Sequence, residues 1–258
     1  MAHEPNHGVV ERLRAAGSVF AEDEARLLGD DEALIARRIA GERLEHVLGW
    51  VDFAGVRVEV DPGVFIPRPQ TEAVAEWAAA LRPAVALDLF AGCAAIACVV
   101  KARKPEVRVV AAELDAAALA CARRNGARFG VQVVAADVDD GVPAELEGRV
   151  DVLTANVPYV PSAELAFVPH DGEPDGALDG GRDGLDWVRR VAAVAPRWLR
   201  PGGSLLVEVA EDARARAAVE ELMTAAGLTV AEIADRVVRP ELGSHHATRA
   251  HRARRRSA

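Results

Sequence analysis

The pattern of apolar and polar positions changes character twice along the chain. In residues 1–48, Val9, Leu13 and Ala16 recur at helical spacing, and Ala33, Ile35, Ile39 and Leu44 do so approximately. Gly17 and Gly29-Asp30-Asp31 interrupt them, which predicts a bundle of short helices. Over 49–64 the period drops towards two. Phe53-Ala54-Gly55-Val56-Arg57-Val58-Glu59-Val60 alternates about a glycine turn and predicts a β-hairpin, closed by Asp61-Pro62-Gly63. The stiff segment Phe65-Ile66-Pro67-Arg68-Pro69-Gln70 follows, with Arg68 held in direction by its two prolines. Thr71 is the expected N-cap of a helix running to about Leu81, with Glu72 favourable in its first turn.

From residue 84 short apolar blocks alternate with helical ones. Residues 85–89, 107–112, 131–135 and 150–155 read as four strands, and 204–209 and 228–233 as a fifth and sixth. Asp115 is placed to cap the second intervening helix and Gly130 to end it. A loop rich in Gly, Pro and Asp spans 161–183. The next helix carries Leu185, Val188, Val191 and Ala195 on one face, and another covers 211–226 up to Gly227. A further short strand is expected near 247–250. Repeated β-α-β units predict a mostly parallel α/β sheet with helices on both faces. The expected organisation is a small helical domain over 1–48, a hairpin connector over 49–64 and the sheet domain over 65–258.

Composition narrows the class. With 258 residues, half of them apolar, the chain can bury one large core and a small appendage. The formal net charge of −9 argues against direct nucleic-acid binding. The basic run from Arg249 to Arg256 reads as a solubilising end. Cys93, Cys98 and Cys121 form no CxxC pair, which suggests reduced thiols and a cytoplasmic protein. No apolar run reaches membrane-spanning length and no leader is recognisable. His245-His246 lack further ligands at metal-binding spacing, so no metal is expected. Trp50, Trp77, Trp187 and Trp198 read as core or interface residues.

The chemistry concentrates at strand ends. Asn156-Val157-Pro158-Tyr159 ends the fourth strand, and Tyr159 is the only tyrosine in the chain. Ligands of open α/β sheets bind at the carboxyl ends of strands. A carboxamide oxygen and the Val157 carbonyl are two acceptors that can hold a planar NH2 by both hydrogens. Pro158 restricts Val157 to extended conformations, and Tyr159 offers a ring for stacking. Asp88, Glu113 and Asp137 stand at the ends of three successive strands around the same crevice. Glu113 lies about 20 residues beyond the loop, where an acid binds ribose hydroxyls. Asp137 is placed for an exocyclic amino group and Asp88 for an ammonium. The loop Phe90-Ala91-Gly92-Cys93-Ala94 has one glycine, against the three that a pyrophosphate-binding turn requires. Clustered carboxylates suit S-adenosyl-L-methionine, which carries a sulfonium, an ammonium and an adenosine.

These residues resemble the HemK/PrmC family of protein-(glutamine-N5) methyltransferases over nearly the whole length. The resemblance is carried by residues 43–49 and the hairpin, by Phe65-Ile66-Pro67-Arg68-Pro69-Gln70-Thr71-Glu72, and by Asp88 to Ala97. It continues through Asn156-Val157-Pro158-Tyr159, Glu173-Pro174, residues 177–181 and residues 201–208. It implies a Rossmann-like fold that methylates the Gly-Gly-Gln glutamine of peptide chain release factors. It further implies that Asn156 and the Val157 carbonyl bind the substrate amide, and that Gly92, Glu113 and Asp137 bind the cofactor. Asp88 would support the methionine end, and the helical N-terminus would hold the release factor. Four positions depart from the family pattern. Phe90 and Ala94 stand where it has glycine, Val157 where it has proline, and Glu113 where it more often has Asp. Phe90 is expected either to crowd the methionine moiety or to take a left-handed backbone conformation. The alternatives are a nucleic-acid amino-group methyltransferase, a non-catalytic release-factor-binding protein and, less favoured, a dehydrogenase.

Overall fold

The computed structural model describes residues 4–208, 213–234 and 237–243. Four short helices open it: α1 (His7–Ala15), α2 (Ala21–Leu28), α3 (Glu32–Ile39) and α4 (Leu44–Leu48). Local chemistry starts two of them. The Asn6 side chain accepts from the Gly8 N–H, and Asp31 accepts from the Ala33 and Leu34 N–H groups. Val9, Leu13, Ala25, Leu28, Ile35 and Val47 close a small core of their own.

Gly49 turns the chain into the hairpin β1 (Trp50–Phe53) and β2 (Val56–Glu59). Phe53, Val56 and Val58 bury their side chains in the main core. Asn125, fully buried, locks the hairpin down. Its Oδ1 accepts from Glu59 N at 2.9 Å, and its Nδ2 donates to the Glu59 and Cys93 carbonyls, each at 2.9 Å. Helix α5 (Glu72–Ala80) then leads into the sheet.

The sheet elements are β3 (Val85–Leu89), α6 (Ala95–Arg103), β4 (Arg108–Glu113), α7 (Ala116–Phe129), β5 (Gln132–Ala135), β6 (Val150–Ala155), α8 (Asp186–Trp198), β7 (Leu199–Glu208), α9 (Ala213–Ala225), β8 (Leu228–Ala234) and β9 (Val237–Leu242). Asp115 caps α7 through the Ala117 and Ala118 N–H groups, and Gly130 ends it in a left-handed conformation. Seven strands run in the order β5-β4-β3-β6-β7-β9-β8. The first five pair in parallel, whereas β9 is antiparallel to both of its neighbours. Alternate residues feed two cores. Ala86, Val109 and Ala111 face one side, and Leu87, Leu89, Val110, Leu153 and Leu205 face the other with Val188, Val191 and Trp198 of α8.

Two features differ from the sequence expectation. Strand β9 was not anticipated, and the chain pairs it between β7 and the edge strand β8. Thr71 does not cap α5: it is helical itself, at φ −72° and ψ −15°, and its side chain makes no cap hydrogen bond. The strand expected near 247–250, His245-His246 and the basic run from Arg249 to Arg256 lie outside the described residues. Among the described residues no helix is long and apolar enough to cross a membrane.

Strand order dictates where a ligand can sit. From β3 the chain steps outward through β4 to β5, then returns to lay β6 on the other side of β3. The β3/β6 boundary is therefore a topological switch point, where the loops leave in opposite directions and open a crevice. Leu89 pairs with Ala155 in the register. The loop after Leu89 and the motif after Ala155 thus emerge side by side.

Candidate active site

The loop leaving β3 is shaped by three left-handed residues: Phe90 at φ 55°, Gly92 at φ 55° and Ala94 at φ 64°. The left-handed region is free for Gly92 but costs an L-residue roughly 1–2 kcal/mol. The chain thus keeps a glycine-loop backbone with two glycines missing. Phe90 takes the left-handed backbone expected of it. Its ring packs edge-on against Trp187, with centroids 5.4 Å apart. A Cβ built on Gly92 would meet nothing within 4 Å, so the loop presents bare backbone to open space there.

The three acidic residues share one edge but differ in setting. Asp88 is buried beneath the loop. Its Oδ1 accepts from the Thr154 hydroxyl at 2.6 Å and its Oδ2 from Ala97 N at 3.3 Å, which ties β3 to β6 and to α6. Burial pushes its carboxyl up to about 7, against the opposing effect of these two bonds. Glu113 folds back to clasp the loop. Oε2 accepts from Gly92 N at 2.7 Å, and Oε1 from Leu114 N and Asp115 N, each at 2.8 Å. Three of its roughly four acceptor positions are therefore taken. Burial raises its pKa in spite of those bonds. Asp137 is half exposed and pairs with Arg190 at 2.9 Å. Val138 beside it is strained, a β-branched residue at φ 55°.

Among the described residues, no Lys or Arg forms an ion pair with Asp88 or Glu113. Two carboxyls raised by burial and lacking a cationic neighbour form a setting that a cationic ligand stabilises. These residues fit S-adenosyl-L-methionine in charge, and the backbone at Gly92 is open beside them.

The motif after β6 lies across the crevice. Val157 and Pro158 are buried, and Asn156 and Tyr159 are half-buried. The Asn156 Nδ2 donates to the Thr71 hydroxyl at 3.3 Å. The Tyr159 hydroxyl reaches Glu208 Oε1 at the end of β7, at 3.5 Å. Tyr159 also forms one wall of a cavity of 340 Å3, lined by Leu185, Val188, Asp183 and Glu208 among others. The following loop closes on the motif backbone. A Cβ at Gly184 would lie 2.4 Å from the Tyr159 carbonyl oxygen, so only glycine fits there.

Sequence reasoning gave Thr71, Glu173 and Glu208 no part in the site. Glu173 has a fully buried side chain paired with Arg68, and its Oε1 accepts from Ile66 N at 2.7 Å. Gly63 N donates to the Gly172 carbonyl beside it, at 3.1 Å. These contacts pin the Pro-Arg-Pro segment to the loop after the motif and bring Thr71 under Asn156. The two prolines were the only signal of that stiffness.

A parallel sheet with this switch point, a carboxyl-lined crevice at β3–β5 and an Asn-x-Pro-Tyr motif at β6 define a Rossmann-like methyltransferase. A family model described as the methyltransferase small domain matches residues 56–167. The chain is 43% identical over 205 residues to the release factor glutamine methyltransferase of Mycolicibacterium smegmatis, covering 77% of this chain and 73% of that one. It is 39% identical to the protein of that name from Streptomyces coelicolor, covering 69% and 66%. The crystal structure of a methyltransferase from Pyrococcus furiosus superposes with a TM-score of 0.55 at 19% identity, over 83% of this chain and 98% of that one, and so shares the fold. The chain belongs to the release factor glutamine methyltransferase family.

Proposed function

We propose that this methyltransferase uses S-adenosyl-L-methionine to methylate the side-chain amide nitrogen of a protein glutamine, that of the Gly-Gly-Gln segment of a peptide chain release factor. The observation that carries this reading is the emergence of Asn156-Val157-Pro158-Tyr159 beside the β3 loop, in register across the switch point. The names of the curated relatives support the substrate class. The 1–48 helices, whose core is their own, are the part proposed to hold the protein substrate.

When bound, the cofactor supplies an electrophilic methyl on a sulfonium. Gly92, Glu113 and Asp137 would hold it, with Phe90 at its edge and Asn156 at the boundary with substrate. Asp88 acts from below, by fixing the loop and by its charge. The pairing of Asp137 with Arg190 leaves that carboxylate accessible, since both groups are about half exposed.

An amide nitrogen is a poor nucleophile because its lone pair is delocalised into the carbonyl. The protein must therefore orient it and stabilise the positive charge that develops as it attacks. Asn156 Oδ1 and the Val157 carbonyl accept its two N–H groups, which fixes the amide plane and places negative dipoles against that charge. Buried Pro158 holds the Val157 peptide, and the Tyr159 ring stacks on the flat amide. Fixed geometry of this kind is catalysis by positioning.

The test is incubation of the enzyme with a release factor and isotope-labelled S-adenosyl-L-methionine, followed by peptide mass spectrometry. Label on the Gly-Gly-Gln glutamine is the expected result. Label on nucleic acid, or none on the release factor, would contradict the reading.

A further inference from the structure

We propose that Thr71 is a positioning residue for methyl transfer, anchoring the Asn156 carboxamide by its donating end while its accepting end faces the substrate. The proposal rests on the reading of Asn156 as the amide-binding residue. A carboxamide has an accepting end and a donating end of nearly equal shape. Only Oδ1 can accept from a substrate NH2; the flipped amide would oppose two donors. The productive orientation therefore needs an acceptor for Nδ2 on the other side. The Thr71 hydroxyl is that acceptor, at 3.3 Å. This is long for N–H···O, as hydrogen bonds of unliganded active sites often are.

Three independent features of Thr71 point the same way. First, it stands at the start of α5, where a threonine ordinarily caps the helix, yet its side chain makes no cap bond. Second, it is 2% exposed, so a hydroxyl there requires a partner, and among the described residues Asn156, 85 residues away, is that partner. Third, its backbone is held. Thr71 N donates to the Arg68 carbonyl at 3.0 Å, and Arg68 pairs with the buried Glu173, whose Oε1 also receives Ile66 N. The stiff Pro-Arg-Pro segment thus carries one hydroxyl to one amide. Once substrate occupies Oδ1, loss of that hydroxyl would leave the Asn156 Nδ2 without a protein acceptor in a half-buried site.

The experiment compares Thr71→Val, which keeps the shape and removes the hydroxyl, with Thr71→Ser, which keeps the hydroxyl. Asn156→Ala is the reference, and cofactor affinity is measured by calorimetry for each. The Thr71→Val kcat for glutamine methylation is expected to fall roughly ten- to a hundred-fold, the range for a buried donor left unsatisfied. Cofactor affinity should hold, and Thr71→Ser should recover most of the rate. In protein labelled with 15N-asparagine, the Asn156 side-chain amide signals, identified by their loss in Asn156→Ala, should shift in Thr71→Val and hold in Thr71→Ser. Thr71→Ala gives the same readouts where the valine variant does not fold. A valine variant with wild-type turnover beside an inactive Asn156→Ala would overturn this proposal and leave the amide-binding reading standing. Equal losses in the serine and valine variants would overturn it in favour of packing. Full activity in Asn156→Ala would overturn both.

Discussion

Arg68 and Glu173 are 105 residues apart in sequence, and their ion pair joins the segment before α5 to the loop after the Asn156-Val157-Pro158-Tyr159 motif. The Glu173 side chain is fully buried and that of Arg68 is 20% exposed. The Arg68 guanidinium also lies 4.7 Å from the centre of the Phe65 ring. Removing one charge from such a pair costs more than the pair contributes, because the survivor stays buried and uncompensated. Glu173→Gln keeps the shape and an acceptor for Ile66 N but strands the Arg68 charge. It should lose about 3 kcal/mol of stability. Thermal melting checks this, and an unchanged midpoint would contradict it. The exposed pair Arg12–Glu32 on the helical unit is the control, because solvent screens it and breaking it should leave the melting midpoint nearly unchanged.

Asp88 makes stability depend on pH in a definite direction. Its carboxyl is near 7 in the folded protein and near 3.8 when unperturbed. The folded state thus holds that proton more tightly than the unfolded state. Its contribution to stability is complete below about pH 4 and is lost as pH rises through 7. Asp88→Asn mimics the protonated form, so its melting temperature should fall less than that of the wild type from pH 4 to 8. Parallel curves would contradict the assignment. A cationic ligand favours the ionised carboxyl. Cofactor binding near pH 6.5 should therefore release protons, seen as a binding enthalpy that varies with the ionisation enthalpy of the buffer.

Gly92 separates the demands of fold and ligand. At φ 55° an alanine is strained but meets no atom within 4 Å. Gly92→Ala should cost roughly 1–2 kcal/mol of stability from the backbone alone. Its methyl group would project into the space assigned to the cofactor, so affinity should fall at least about tenfold, with 1.4 kcal/mol per decade. Calorimetry beside thermal melting checks both numbers. Unchanged affinity would move the cofactor away from this loop.

The strands β3 to β7 were legible because parallel strands buried on both faces are near-continuous apolar runs. The cap at Asp115 and the stop at Gly130 were legible because their causes lie within a few residues. Strand β9 was hidden by Pro240, since proline within a run argues against an interior strand. The sheet accommodates it opposite Val230, where the β8 register shifts before Glu232. Thr71 was misread for a related reason: local rules assign its hydroxyl to the helix start, and the actual partner is fixed only by tertiary packing. Glu173 sits in a loop without periodicity, so nothing in the sequence marks its burial. The three strand-end acids were placed on one edge correctly. Their differing settings depend on which backbone amides the folded loop turns towards them.

The most direct measurement of the central claim is single-turnover methylation of a release factor by Asn156→Ala, with cofactor affinity measured on the same preparation. The carboxamide is proposed to hold the substrate amide, and the cofactor is proposed to be held chiefly by the β3 loop, Glu113 and Asp137. The account predicts a loss of at least about a hundredfold in rate, the scale of lost positioning at a reacting centre, with cofactor affinity within a few-fold of wild type. A variant that methylates the glutamine at the wild-type rate would contradict it.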